Sequence, residues 1–195
     1  VDEFFSSGKL RLSAFSEFAK HIDEQRGDTQ EGRLIVNIPV PSKQRAIRIR
    51  GGAGRKSYIL STSLRGDIEL MQAFHTDSYF KINNVAAFSV AIASKILGFT
   101  KTIFGCCKYL NQREIQREPG ILAEKAVEMN PERKIDRNLI MKIGNQVLYS
   151  YAMFIKLSRY SRQQEFRLIW QVNHKVHEPL YVECREAVQF CQRII

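Results

Sequence analysis

The sequence predicts an α+β fold, mixed, with mainly antiparallel sheets of short strands and flanking helices. Three observations predict it. Strand-like runs are numerous and short, proline and glycine interrupt them, and helical patterns fall between only some of them. A doubly wound parallel sheet needs a helix after nearly every strand, and this chain lacks that rhythm. At 195 residues with 44% hydrophobic content the chain fits one domain, 1–195, with a substantial core.

The elements follow in order. Lys9-Leu10-Arg11-Leu12-Ser13 is a short strand, and Ser13 is placed as the N-cap of a helix with Phe15, Phe18 and Ile22 as its apolar stripe. After a polar segment, Arg26 to Gly32, strand chemistry returns at Leu34–Ile38, Ala46–Arg50 and Tyr58–Ser63. Ile47 and Ile49 alternate with Arg48 and Arg50, which puts both arginines on one face. A short helix at Ile68–Phe74 and a strand at Tyr79–Ile82 lead to an apolar helix at Val85–Leu97. Ile103–Leu110 is a further strand, and Ile121–Met129 a modest helix in a charged stretch. Leu139–Leu157 carries the longest helical pattern, with Leu139, Ile143, Val147 and Phe154 on one face. Phe166, Leu168, Trp170 and Val172 alternate with Arg167, Ile169 and Gln171 as a strand, followed by a strand at Leu180–Cys184 and a helix at Ala187–Ile194.

The formal charge is +10, and it is unevenly placed. Val1–Gly32 holds seven acidic and four basic residues, whereas Arg33–Arg65 holds eight basic residues and no acid. Asn138–Gln164 adds four basic residues, again without an acid. Such a surface attracts phosphates over long range without specifying which, so a nucleic acid (RNA or DNA) or a nucleotide is the expected partner, met by a continuous positive cleft. Arg50, Arg55, Lys56, Arg159 and Arg162 are the expected contacts, with Phe80, Tyr109 and Tyr160 as stacking partners for bases. Gly51-Gly52-Ala53-Gly54-Arg55-Lys56 lacks the spacing of either glycine-rich phosphate motif; it is a flexible hairpin tip presenting Arg55 and Lys56, or a plain turn.

No apolar run reaches the ~18 residues of a membrane span, and no secretory start is visible, so no membrane partner and a cytoplasmic location are expected. Cys106, Cys107, Cys184 and Cys191 do not form a disulfide framework and are expected as reduced thiols. His174-x-x-His177 with Cys184 and Cys191 lacks the tight pairing of a zinc site, and no metal is expected.

Within the second basic region, one acid stands among arginines. Glu165 lies at the start of the Trp170 strand, near Arg159, Arg162 and Arg167. It is either their ion-pair partner or a catalytic carboxylate in a positive site. Gln163-x-Glu165 at a turn entering a strand resembles the Gln/Glu-x-Glu signature of ADP-ribosyltransferases. Ser61-Thr62-Ser63 resembles the serine-threonine-serine element of their arginine–serine–glutamate class, and it precedes the glutamate by about a hundred residues, as in that class. The early arginine has three candidates, Arg11, Arg48 and Arg50. Most of the chain also resembles a broad bacterial family of uncharacterised domains. The shared features are Gly8-x-Leu10-Arg11-Leu12-Ser13, the Asp28-x-x-Glu31-Gly32 element, a central strand ending in serine, and a late Glu165-Phe166-Arg167 strand.

The transferase resemblance implies a fold of that type and NAD as substrate. It also implies that Glu165 holds a ribose hydroxyl, Gln163 orients the acceptor, and Ser61 or Ser63 positions the nicotinamide ribose. Arg11 or Arg48 would grip the pyrophosphate, and Tyr58, Tyr79 or Tyr160 would stack on nicotinamide. It implies a bacterial toxin or phage-defence effector, with a protein antitoxin or regulator as partner. Two other functions stay open. One is a non-catalytic nucleic-acid-binding domain of the same fold. The other is a nuclease using Asp28, Glu31 and Glu165 with a divalent metal, although without a helix to fix them Asp28 and Glu31 are expected in a hydrated loop with an internal ion pair to Arg26 or Arg33.

Overall fold

The computed structural model describes residues 1–18, 30–40, 45–116 and 151–194. The fold is mixed α+β, built mostly from short antiparallel strands with few helices. The chain packs as two compact units, one of Val1–Glu31, Gly54–Cys107 and Tyr160–Ile195, the other of Gly32–Ala53 and Lys108–Arg159. The second unit is made by two excursions of the chain, Gly32–Ala53 and Lys108–Arg159.

The first unit opens with a helix, α1 (Asp2–Ser7), closed by Gly8 at φ 78°. That left-handed conformation suits glycine, and the site also has no room for a side chain. A Cβ on Gly8 would lie 2.5 Å from the Arg185 nitrogen and the Cys184 carbonyl carbon, which are main-chain atoms that cannot swing aside. Next come β1 (Lys9–Ala14) and a single turn of helix, α2 (Phe15–Phe18). Ser13 belongs to the strand and does not cap the helix: its hydroxyl accepts from Arg11, and Glu17 instead takes the Ala14 N–H.

Five antiparallel strands form the main sheet. In spatial order they are β11 (Leu180–Glu183), β1, β4 (Ser57–Ser63), β10 (Glu165–Val172) and β6 (Phe99–Cys106). Leu10, Leu12 and Ala14 of β1 and Leu168, Trp170 and Val172 of β10 share one face, as strand alternation requires. Phe88, Ile92 and Ala93 of α4 (Val85–Ala93) cover it, with Phe4 of α1. Trp170 has no solvent exposure, and its indole N–H donates to Ser89 O at 2.9 Å, so burial leaves no orphan donor. β10 is buried on both faces, and its Arg167 and Glu165 lie in the interior, not at the surface that alternation alone would assign them.

Helix α4 starts at Asn84, whose side chain accepts from the Ala87 N–H at 3.0 Å. It stops at Ala93, short of the expected Leu97, because the chain tightens into 3₁₀-type bonds from Lys95 to Ile92 and from Ile96 to Ala93. Helix α3 (Ile68–Ala73) and β5 (Tyr79–Ile82) fall where expected. The expected C-terminal helix is a correction. The chain makes a short helix, α5 (Arg185–Val188), then a strand, β12 (Cys191–Ile194), because β5 offers it an antiparallel partner. Phe80, expected to stack on bases, lies against Phe4 at 4.8 Å in the core.

In the second unit β2 (Arg33–Val40) pairs with β3 (Arg45–Gly52) antiparallel and with β8 (Glu114–Gln116) parallel. A parallel pair joins β7 (Lys108–Leu110) to β9 (Ile155–Leu157). The end of the expected Leu139–Leu157 helix is therefore a 3₁₀ turn, Ala152–Phe154, and a strand; its earlier part lies outside the described residues, as does Ile121–Met129. Likewise Ile103–Leu110 is two strands, parted at Cys107, whose N–H donates to Glu165 O at 2.8 Å. No helix among the described residues is long and apolar enough to cross a membrane.

Candidate functional site

β4 and β10 run antiparallel in a register that sets Glu165 opposite Ser63 and Arg167 opposite Ser61. Directly paired residues point to the same face, with Cβ atoms about 5 Å apart. On the other side of β4 lies β1, whose Ser13 is paired with Ile59, so Arg11 shares this face two residues along. The tertiary structure thus brings Arg11, Ser61, Ser63 and Glu165 onto one face of three neighbouring strands. Arg48 and Arg50 lie on β3 in the other unit, where Arg48 pairs with Glu114 at 2.9 Å.

Most of the polar side chains here are engaged. Ser63 Oγ donates to Gln163 O at 2.6 Å and accepts from the Arg65 N–H at 2.9 Å, tying the end of β4 to the turn before β10. Thr62 Oγ1 donates to Phe166 O at 2.8 Å. Gln164 has φ 42°, an uncommon conformation outside glycine, so the turn between Gln163 and Glu165 is strained. Arg11 donates to Ser13 and to Glu17 at 2.6 Å and stays partly exposed. Ser61 is exposed, and Gln163 is buried.

Glu165 is 4% exposed. Arg167 Nε donates to its Oε1 at 2.5 Å, and Arg167 Nη1 donates to Glu31 Oε1 at 2.7 Å. Burial works against the guanidinium charge, yet Glu31 and Glu165 outweigh it and hold the Arg167 pKa well above its ordinary value. Gly105, opposite Arg167 on the β6 side, contributes no side chain to this layer. Of the two sequence readings of Glu165, the ion pair is present, and it is made with Arg167.

Glu31 is a correction. It is buried against Arg167, whereas a hydrated loop paired with Arg26 or Arg33 was expected. Asp28 and Arg26 lie outside the described residues. Glu31 and Glu165, two of the three acids of the nuclease alternative, are bridged by Arg167. Among the described residues no group of three or more His, Cys, Asp and Glu side chains is placed to hold a metal.

Other expected residues separate. Tyr58 pairs with Trp170 and packs on the core, on the face away from Ser61 and Ser63. Tyr160 is buried, and Tyr79 donates its hydroxyl to Gly66 O at 3.0 Å. The glycine-rich loop is no free hairpin tip. Gly51 and Gly52 belong to β3, and the carbonyls of Arg55 and Lys56 accept from the N–H groups of Val176 and Val172. Arg55 and Lys56 therefore sit at the Val172 end of β10, while Arg162 sits beside its Glu165 end. Arg50 and Arg159 are exposed residues of the other unit.

Sequence reasoning missed Arg167 and Glu31 as partners. The available signal was the joint presence of the Asp28-x-x-Glu31-Gly32 and Glu165-Phe166-Arg167 elements. No protein-family model, no curated protein and no solved structure matches the chain.

Proposed function

We propose that this protein is an NAD-dependent ADP-ribosyltransferase that modifies a nucleic acid and acts as a bacterial toxin or phage-defence effector. The observation that carries the reading is the strand register that seats Glu165 across from Ser63, with the strand of Arg11 on the far side of β4. Three motif elements separated by about fifty and about a hundred residues converge on one sheet face.

The chemistry assigned to that face breaks the bond between the ribose C1′ and the nicotinamide nitrogen. The electron pair leaves with nicotinamide, C1′ gains oxocarbenium character, and a nucleophilic atom of a base attacks it and gives up a proton. Positive charge passes from the nicotinamide ring to C1′ only in the transition state, so a carboxylate fixed near the ribose lowers the barrier more than it tightens substrate binding. Glu165 supplies that carboxylate through a ribose hydroxyl, and the 2.5 Å bond from Arg167 holds its orientation. Arg11 binds the pyrophosphate, and Ser61, the exposed serine of the motif, positions the ribose.

A second reading is favoured by the burial of Glu165 between strands and against Arg167: a domain of this fold that binds nucleic acid without turnover. One experiment separates the two. The protein is incubated with NAD and RNA or DNA oligonucleotides, and nicotinamide release and the mass gain of one ADP-ribose unit are measured. The transferase reading expects both, with loss in Ser61→Ala and Glu165→Gln chains whose far-UV spectra match the parent. Salt-sensitive oligonucleotide binding with no nicotinamide release establishes the second reading.

A further inference from the structure

The end of the main sheet opposite Glu165 carries its own constellation. β10 has eight residues, so its two ends lie about 23 Å apart at the usual strand rise. At the Val172 end, the turn before β4 presents Arg55 and Lys56, both exposed. The loop after β10 presents His174 and Lys175, also exposed, with Glu178 as its acid. Two main-chain bonds clamp turn to loop: Val172 N–H to Lys56 O at 2.9 Å and Val176 N–H to Arg55 O at 2.8 Å. Lys56 Nζ adds a 3.4 Å contact to Asn173 O.

The start of β6 completes the constellation. Asn173 N–H donates to Gly98 O at 2.9 Å, and a Cβ on Gly98 would come within 3.1 Å of His174 Nδ1, so this loop and the β6 entry are in contact. Phe99 pairs with Val172 and is 39% exposed, and Leu97 beside it is 88% exposed. A large aromatic is thus left partly open to solvent at the same end of the sheet as three exposed cationic side chains. All of these residues belong to one unit.

We infer that this end of the sheet is a docking surface for single-stranded nucleic acid, distinct from the Glu165 face. Arg55, Lys56 and Lys175 meet backbone phosphates, and Phe99, with His174 beside it, offers a ring on which an unpaired base stacks. A purely electrostatic surface has no use for the open ring, and an apolar docking site has no use for the cations. Their combination selects a ligand with regularly spaced anions and flat bases. The inference shares the nucleic-acid partner with the proposed function and stands without the transferase chemistry.

The test is fluorescence anisotropy of a labelled single-stranded oligonucleotide across a salt series, with no NAD present. The Arg55→Gln, Lys56→Gln, Lys175→Gln triple variant is expected to lower affinity and to reduce the slope of log affinity against log salt by about 2, at ~0.7 per phosphate contact. Its main-chain clamp is unaffected, and an unchanged melting temperature checks this. Phe99→Ala is expected to weaken binding about tenfold, the usual cost of one lost base stack, with the salt slope unchanged. A triple variant with parental affinity and slope overturns the inference. So does polyglutamate of equal charge competing as well as the oligonucleotide while Phe99→Ala has no effect, which marks a general polyanion surface. Absence of nicotinamide release bears on the transferase reading alone.

Discussion

Arg167 donates to Glu31 at 2.7 Å across 136 residues of chain, and neither side chain has more than 1% of its surface exposed. Together with Glu165 they form an interior ion triad at the Glu165 end of the main sheet. Its members come from two sequence elements far apart in the chain, Asp28-x-x-Glu31-Gly32 and Glu165-Phe166-Arg167.

Removing the central cation strands two buried carboxylates. Arg167→Ala is expected to cost about 3–5 kcal/mol of folding stability, the usual consequence of leaving a buried ion unpaired. Urea unfolding of the variant measures it. A Glu31→Gln, Glu165→Gln double-mutant cycle is expected to show coupling of ~1 kcal/mol or more, since both acids share one guanidinium. Additive effects would show that the acids are held independently.

Gly8→Ala meets main-chain atoms at 2.5 Å and a backbone at φ 78°, so neither a rotamer change nor a small shift relieves it. The expected loss is about 1–3 kcal/mol or more. Calorimetric melting of Gly8→Ala beside the surface variant Lys9→Ala reads the difference.

Trp170→Ala opens a large void under α4 and leaves Ser89 O without its indole donor. A cost of about 3–5 kcal/mol is expected. Trp170→Phe restores most of the volume but not the hydrogen bond, and is expected to fall between parent and alanine in denaturant midpoint.

Burial pushes the Cys191 thiol up to about 11, against an ordinary value near 9. The folded state therefore favours the neutral thiol. Its contribution to stability is complete below the ordinary value and is lost as pH rises from there through about 11. Cys191→Ser is expected to flatten the alkaline limb of stability against pH, measured by urea midpoints from pH 8 to 11. Cys106, the exposed cysteine, is expected to take up a maleimide first at neutral pH, as peptide mapping would show.

Where a pattern spans one element, the sequence was legible. β1, β4, β5 and β10 lie where the strand runs put them, whereas the one cap read from the sequence, Ser13, belongs to a strand, and the caps the structure shows are Asp67 and Asn84 of α3 and α4. Short apolar segments were ambiguous. Cys191–Ile194 and Ile155–Leu157 carry too few residues to distinguish helix from strand, and a distant partner decided each.

By itself the sequence determined the α+β class, most strand positions, the excess of positive charge and the motif residues on which the functional reading rests. Only the tertiary structure decided which of those residues meet. It placed Glu165 opposite Ser63, put Tyr58 on the other face, separated Arg55 and Lys56 from Glu165 by the length of β10, and turned Glu31 inward onto Arg167. The physical reason is that alternation and capping are local, whereas strand register and buried ion pairing depend on segments far apart in the chain. A charge that looks solvated in sequence becomes interior once both faces of its strand are covered.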